Sequence, residues 1–318
     1  MRLSFPIEKH GYGAVLQIVG EPDSAIVQLM AKMKGMTAKP LASYSKERTV
    51  LTQRIVDIPL TKPRSATSSE MIHIPGGDFF FAVRGIEIEG SDDEGVDVQY
   101  PWEDAPRRFH GHFMHVDAFD IDKYPVTNRD FKGFLDATHY HPKDDLNFIK
   151  DWQGGIYPPG WENKPVTWVS LEDARAYAAW AGKRLPHEWE WQYALEGPEH
   201  DQRKYPWGNT WKPDAVPLQY EGRTLRGPDD VGAHPIGISP YGVMDMVGNV
   251  WQWTNEYVDE HTRSAVLRGG RYYRPSGSMW YFPQAYQSDQ HGKLLLMAPS
   301  IDRSGTIGFR CVTDRNNR

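Results

Sequence analysis

The chain predicts an α+β domain of short strands, few helices and long ordered loops, with a separate segment ahead of it. From Met71 onward tryptophan, glycine and proline are dense, glycine or proline breaks the alternating stretches early, and only two or three stretches combine helical spacing with a cap. The 318 residues are 39% hydrophobic and 13% aromatic, enough to bury a sizeable core.

Residues 11–20 (GYGAVLQIVG) alternate and are rich in β-formers, predicting a strand closed by a Gly-Glu-Pro turn. A helix follows: Asp23 or Ser24 caps it, Ile26, Leu29, Met30 and Met33 fall at helical spacing, and Gly35 stops it. Residues 36–70 mix proline, serine and charge without periodicity, as in a linker or a segment draped over another surface. About sixty residues of this kind do not bury enough surface to fold alone. Residues 1–66 therefore either pack on a main domain, 67–318, or form the tail of an upstream domain in a longer native chain; the second is the expectation.

MIHIPGGDFFF (71–81) reads as a strand, a turn at Gly76 and Gly77, and a second strand. Residues 109–128 alternate as a strand. Thr127 or Asn128 then caps a helix whose apolar side is Phe131, Phe134 and Leu135. Ser170 and Asp173 form a capping box, Ala174, Tyr177, Ala178 and Ala181 line the helix behind it, and Gly182 ends it. A further helical stretch runs to Leu195.

The formal charge is −6 and no lysine- or arginine-rich run exists, so a nucleic-acid partner is set aside. No run of eighteen apolar residues and no signal-peptide pattern appear, so no membrane role and a cytoplasmic chain are expected from the sequence as it stands. In a longer native chain an export signal would lie upstream. Cys311 is the sole cysteine. It permits neither an intrachain disulfide nor a cysteine-based zinc site, and reads as a small buried hydrophobe. No Walker loop, Gly-x-Ser-x-Gly elbow or His-Glu-x-x-His pattern supports nucleotide or hydrolase chemistry.

Strand periodicity puts His110 and His112 on one face and His115 on the other, and His139 with His141 repeats the His-x-His spacing. Exposed strand-edge histidines are a plainer reading than a zinc, copper or iron site. The acidic run over 87–104, with Asp92, Asp93, Glu94 and Asp97, reads as a solvated loop.

Several ordered motifs carry a family resemblance. They are SLEDARAYAAWAGKRLPHEWEWQYAL (170–195), YPWG (205–208), GVMDMVGNVWQWTNEY (242–257), LRGGRYYRPSGSMWYFP (267–283) and TIGFRC (306–311). From about Ile74 to Val312 the chain resembles the formylglycine-generating enzyme, or sulfatase-modifying factor, family. The resemblance implies that family's fold, related to the C-type-lectin-like fold, and the ancestry of a metal-dependent oxidoreductase. Family members that oxidise a peptidyl cysteine bind copper through two cysteines after the RGG motif, whereas Arg274 and Met279 stand at the matching positions here. Arginine is no copper ligand and a thioether is weaker than a thiolate. Arg271 also stands in place of the family's active-site serine. Peptidyl-cysteine oxidation is thus not expected, and a copper or iron cofactor is left undetermined.

The resemblance also implies a Ca²⁺ site at Asp245, Gly248, Val250 and Gln252, with Gln252 a neutral oxygen where the family often has glutamate. A turn held by hydrogen bonds without an ion is the other reading. Asp214, Asp229 and Asp230 give no clear match to the family's second calcium site. Around the family's active-site position, Trp251, Arg271, Tyr273, Arg274, Ser278, Trp280 and Tyr281 suit a pocket for a peptide, a glycan or a small anionic ligand, since guanidinium forks hold anions and aromatic faces stack on rings. Equally, the aromatics are core and the arginines pair with nearby acids. Three functions remain in play: an enzyme working without the cysteine pair, a non-catalytic calcium-stabilised binding module, or an accessory domain of a larger carbohydrate-active protein.

Overall fold

The computed structural model describes residues 15–36, 54–55, 59–62, 67–87, 100, 102–103, 109–199, 202–218, 227–258, 263–273 and 285–315. The chain divides into two units, 1–51 and 52–318.

In the first unit, helix α1 (Ser24–Met36) begins where Asp23 Oδ1 accepts the Ile26 amide at 2.8 Å, the capping bond expected of an aspartate. It runs through Gly35 to Met36, so that glycine does not stop it. The predicted strand over 11–20 is not formed in its described part, 15–20. Among the described residues no strand lies beside it, and a lone strand has no ladder in which to satisfy its amides and carbonyls. Val15, Leu16, Val27, Leu29, Met30 and Met33 are all exposed.

The second unit opens with β1 (Arg54–Ile55), followed by β2 (Met71–Ile74), β3 (Gly77–Val83), β4 (Gly85–Glu87), β5 (His110–Val116) and β6 (Phe119–Asp122). Helices α2 (Asn128–Thr138), α3 (Leu171–Trp180) and α4 (Glu188–Glu196) come next. Then follow β7 (Trp251–Val258), β8 (Arg263–Arg268), β9 (Gln290–Leu295), the single turn α5 (Pro299–Asp302), β10 (Ile307–Phe309) and β11 (Val312–Asp314). The main sheet runs β1-β7-β8-β9-β4, with β10 parallel to β7. A second sheet runs β11-β6-β2, and β3 pairs with β5 alone. Because β1 pairs with β7 and the Thr61 amide reaches Asp314 Oδ2 at 2.6 Å, the segment just ahead of residue 67 is tied into this unit.

The capping expectations hold. Thr127 and Asp130 box the start of α2, Ser170 and Asp173 that of α3, and Gly182 adopts φ 67° just past the end of α3. Phe131 and Phe134 are buried, as a helix stripe facing a sheet requires. The core has two parts: one gathers Phe81, Phe119, Trp191 and Met246, the other Phe131, Tyr177, Trp253 and Phe309. No helix among the described residues is long and apolar enough to cross a membrane.

Long loops leave backbone carbonyls that no ladder takes up, and buried arginines collect them. Arg303 Nε meets Asp173 Oδ2 at 2.9 Å, both side chains fully buried, while Nη1 donates to Asp144 O at 2.6 Å and Leu146 O at 2.9 Å. Arg303→Ala would leave the buried Asp173 carboxylate without its cationic partner, held only by the Tyr140 hydroxyl and the Ser170 amide. A loss of about 3–5 kcal/mol is expected, read as a lower midpoint in urea unfolding.

Candidate functional site

Strand β8 delivers Arg268 into the interior and turns sharply at Gly269 and Gly270, with φ of 90° and 69°. Both glycines are required twice over. A Cβ on Gly269 would lie 2.2 Å from Met246 O, and one on Gly270 would lie 2.3 Å from the Tyr286 ring; L side chains also rarely adopt these φ values. The turn is fastened to the loop before β7 by Gly248 N donating to Gly269 O at 2.8 Å and Tyr272 N donating to Asn249 O at 3.0 Å. Tyr286 hydroxyl donates to Arg271 O at 2.9 Å. The result is a closely held turn that carries Arg271 and Tyr273.

Arg271 is half-buried, and burial draws its pKa below the ordinary arginine value. A partly desolvated guanidinium binds an anion more strongly than one in bulk water. Tyr273 is 41% exposed beside it, and Tyr273 O accepts from Arg271 Nε at 3.3 Å. Trp211, 37% exposed, stacks on Tyr286 at 5.5 Å, and Tyr205 stacks on Trp207 at 5.2 Å. Trp207, Trp211 and Tyr286 therefore stand near the turn as an aromatic wall that the sequence reading did not assign. The YPWG motif carried part of that signal, but stacking on a residue some seventy positions later leaves no pattern in sequence.

Of the predicted ligand-binding residues, Arg271 and Tyr273 are brought together. Arg274, Ser278, Trp280 and Tyr281, with Met279, lie outside the described residues. Trp251 is a core side chain, 3% exposed and packed across Gly292. It lies on the same strand face as Trp253. Cys311 is fully buried, and burial raises its thiol pKa well above normal, as befits a packing residue.

Beneath the turn lies a buried ionic cluster. Arg268 Nη1 reaches Glu188 Oε1 at 2.9 Å, its Nη2 donates to Ser288 O, and its guanidinium lies 4.8 Å over the Trp191 ring. His291 Nδ1 lies 2.6 Å from the same Glu188 oxygen. Burial pushes the Glu188 carboxyl up, but His291 and Arg268 outweigh it and leave it below the usual range. Burial pushes His291 down despite that carboxylate.

The two side chains implied for Ca²⁺ are already committed to hydrogen bonds. Gln252 is fully buried, and its Oε1 already accepts from Trp191 Nε1 at 3.1 Å and Arg310 Nε at 2.6 Å. Asp245 Oδ2 accepts from Gly232 N at 2.6 Å, and burial holds the Asp245 carboxyl above its usual pKa. The histidines do not assemble a metal site either: His110 pairs with Glu103 at 2.8 Å, His115 with Asp78 at 2.7 Å, and His139 caps α2. No cluster of three or more His, Cys, Asp or Glu suited to a metal occurs among the described residues. As expected, His110 and His112 share one face of β5 and His115 lies on the other, but His110 is fully buried and so is not an exposed strand-edge histidine. Asp229 pairs with His234 at 2.9 Å and Asp230 with Lys164 at 2.8 Å. Most of the acidic run over 87–104 lies outside the described residues.

The scaffold is loop-rich and α+β, with a glycine-made turn over a buried Glu-Arg pair. The chain belongs to the sulfatase-modifying factor enzyme 1-like family, whose signature matches residues 58–315. It is 30% identical over 220 residues to hercynine oxygenase of Mycolicibacterium smegmatis, covering 62% of this chain and 48% of the oxygenase, so it spans about half that relative's length. It is 30% identical over 291 residues to inactive C-alpha-formylglycine-generating enzyme 2 of Bos taurus, covering 76% of this chain and 87% of the relative. The structure of PvdO from Pseudomonas aeruginosa shares the fold, with a TM-score of 0.51 and 23% identity over 77% of this chain and 94% of PvdO.

Gly269→Ala is expected to cost about 3 kcal/mol or more through the Met246 clash and the backbone strain, measured as a fall in Tm. Burial depresses the His291 pKa on folding, so the unfolded chain takes up the proton first as pH falls through about 6.5. Stability contributed by neutral His291 is present above that pH and declines below it. The loss between pH 7.5 and 5.5 in urea titrations should be smaller for His291→Gln than for the wild type.

Proposed function

We propose that this chain is an oxidoreductase-type member of the sulfatase-modifying-factor family that acts without the family's cysteine pair, on a substrate whose anionic group is drawn to Arg271. The observation that carries this reading is the RGG turn, which holds Arg271 where the family resemblance places the active-site serine. Tyr273 and the Trp211–Tyr286 stack supply aromatic faces beside that cation. A carboxylate, sulfate or phosphate held by the guanidinium, with its apolar part against the rings, fits this arrangement.

Oxidation of a peptidyl cysteine through copper thiolates is not included, since Arg274 and Met279 stand at the paired positions and Cys311 is buried. The oxygenase among the relatives supports oxidative chemistry with a metal supplied by other ligands. The commitment of Gln252 argues against calcium as part of this function. A second reading is favoured by the inactive formylglycine-generating enzyme among the relatives: a binding module that keeps the Arg271 surface and has no turnover, with an anionic glycan or peptide as ligand.

Plasma mass spectrometry of the purified chain, paired with oxygen uptake on cysteine-containing peptides and on hercynine, separates the two. Copper or iron at stoichiometric level with oxygen uptake is expected, and Arg271→Ala should lower kcat/KM at least roughly tenfold, by losing a charge-assisted pair of about 1.5–3 kcal/mol. No redox metal and no uptake would sink the oxidoreductase reading and leave the binding module.

A further inference from the structure

The loop over 244–252 and the RGG turn share one set of carbonyls, and those carbonyls already have donors. Gln252 Nε2 donates to Asp245 O and Met246 O, each at 3.1 Å, while its Oε1 accepts from Trp191 and Arg310. A primary amide has two donors and two acceptor sites, so Gln252 is saturated. Arg310, also fully buried, donates Nη2 to Met244 O at 2.7 Å and Asp245 O at 3.0 Å, and Nη1 to Asp122 O at 3.0 Å. Burial draws the Arg310 pKa down to about 10, still charged at neutral pH. Met246 O is also the atom against which Gly269 is packed, and a Cβ there would lie 3.3 Å from Gln252 Nε2. The amide, the guanidinium and the turn are thus one contiguous unit.

We propose that Gln252 and Arg310 hold the 244–246 carbonyls, and the RGG turn against them, with an amide and a guanidinium, so that the turn is formed without Ca²⁺. A positive guanidinium on these oxygens repels a divalent ion, and a neutral amide adds no anionic ligand to attract one. A glutamate at 252 would behave otherwise. Its second oxygen would face Asp245 O and Met246 O with no hydrogen to offer, an arrangement that only a cation or a proton relieves. The inference is independent of the proposed activity, because it concerns what shapes the turn and not what the turn binds.

The test uses the full chain, stripped with EDTA and then compared in EDTA and in millimolar Ca²⁺. For the wild type, Tm and hydrogen exchange at the amides of Gly269 and Gly270 are expected to be the same in both. Gln252→Glu is expected to melt roughly 5 °C lower than the wild type in EDTA and to recover in Ca²⁺. A calcium-dependent rise in the wild-type Tm with stoichiometric calcium by mass spectrometry would overturn the proposal, as would Gln252→Glu matching the wild type in EDTA. If the variant does not fold, the wild-type comparison still decides, since it needs no substitution.

Discussion

Four interior guanidiniums do the work that regular secondary structure does elsewhere. Arg184, Arg268, Arg303 and Arg310 are each buried, and each ties a loop to a distant element. Arg184 joins Glu190 at 2.7 Å to Asp314 at 2.7 Å, Arg268 joins Glu188 to the segment before β9, Arg303 joins α3 to the loop at 144–146, and Arg310 joins the end of β6 to the loop at 244–245. The planar fork with five donors suits this, because it can satisfy several carbonyl oxygens at once without water. Burying such charges costs several kcal/mol each unless they are partnered, so each guanidinium ties down the loops that carry its acceptors.

The RGG turn is the functional expression of that constraint. Its path is dictated from below by Arg268 on Glu188 and from the side by Met246 O, leaving only glycine at the two central positions. Beyond it stand the half-buried Arg271, the exposed Tyr273 and the aromatic wall of Trp207, Trp211 and Tyr286. A ligand group placed on such a support loses little of its binding energy to ordering the protein.

Much of the scaffold was legible in the sequence because local physics wrote it there. The capping boxes at Thr127 and Ser170, the αL glycine at 182 and the Phe131–Phe134 stripe each lie within a few residues of the element they specify. The strand expected over 11–20 failed for the complementary reason: alternation gives a strand its faces, but a ladder needs a partner from elsewhere in the chain. The site was legible only in part. The motif put Arg271 and Tyr273 beside each other, whereas the burial of Trp251 left no mark, because a tryptophan on an interior strand reads the same as one lining a pocket. The partners of Gln252 lie 58 and 61 positions away in the chain, at Arg310 and Trp191. No periodicity marks contacts of that range.

The distribution of charge also limits where chemistry can occur. Glu188 looks like an acid–base candidate, being a carboxylate touching a histidine beneath the motif. Its geometry argues otherwise. Arg268 and His291 hold it ionised below the normal carboxylate range, which makes it a weak base at neutral pH, and its burial keeps substrate from its oxygens. His291, fully buried and held neutral, is removed from substrate in the same way. Both groups support the turn, and neither is positioned to react. In the proposed function the chemistry draws on groups other than these two, and Arg271 would contribute a positive charge but no exchangeable proton at neutral pH. An arginine there suits the orienting of an anionic substrate toward a reactive centre that other ligands provide, and it suits poorly the role of nucleophile or base.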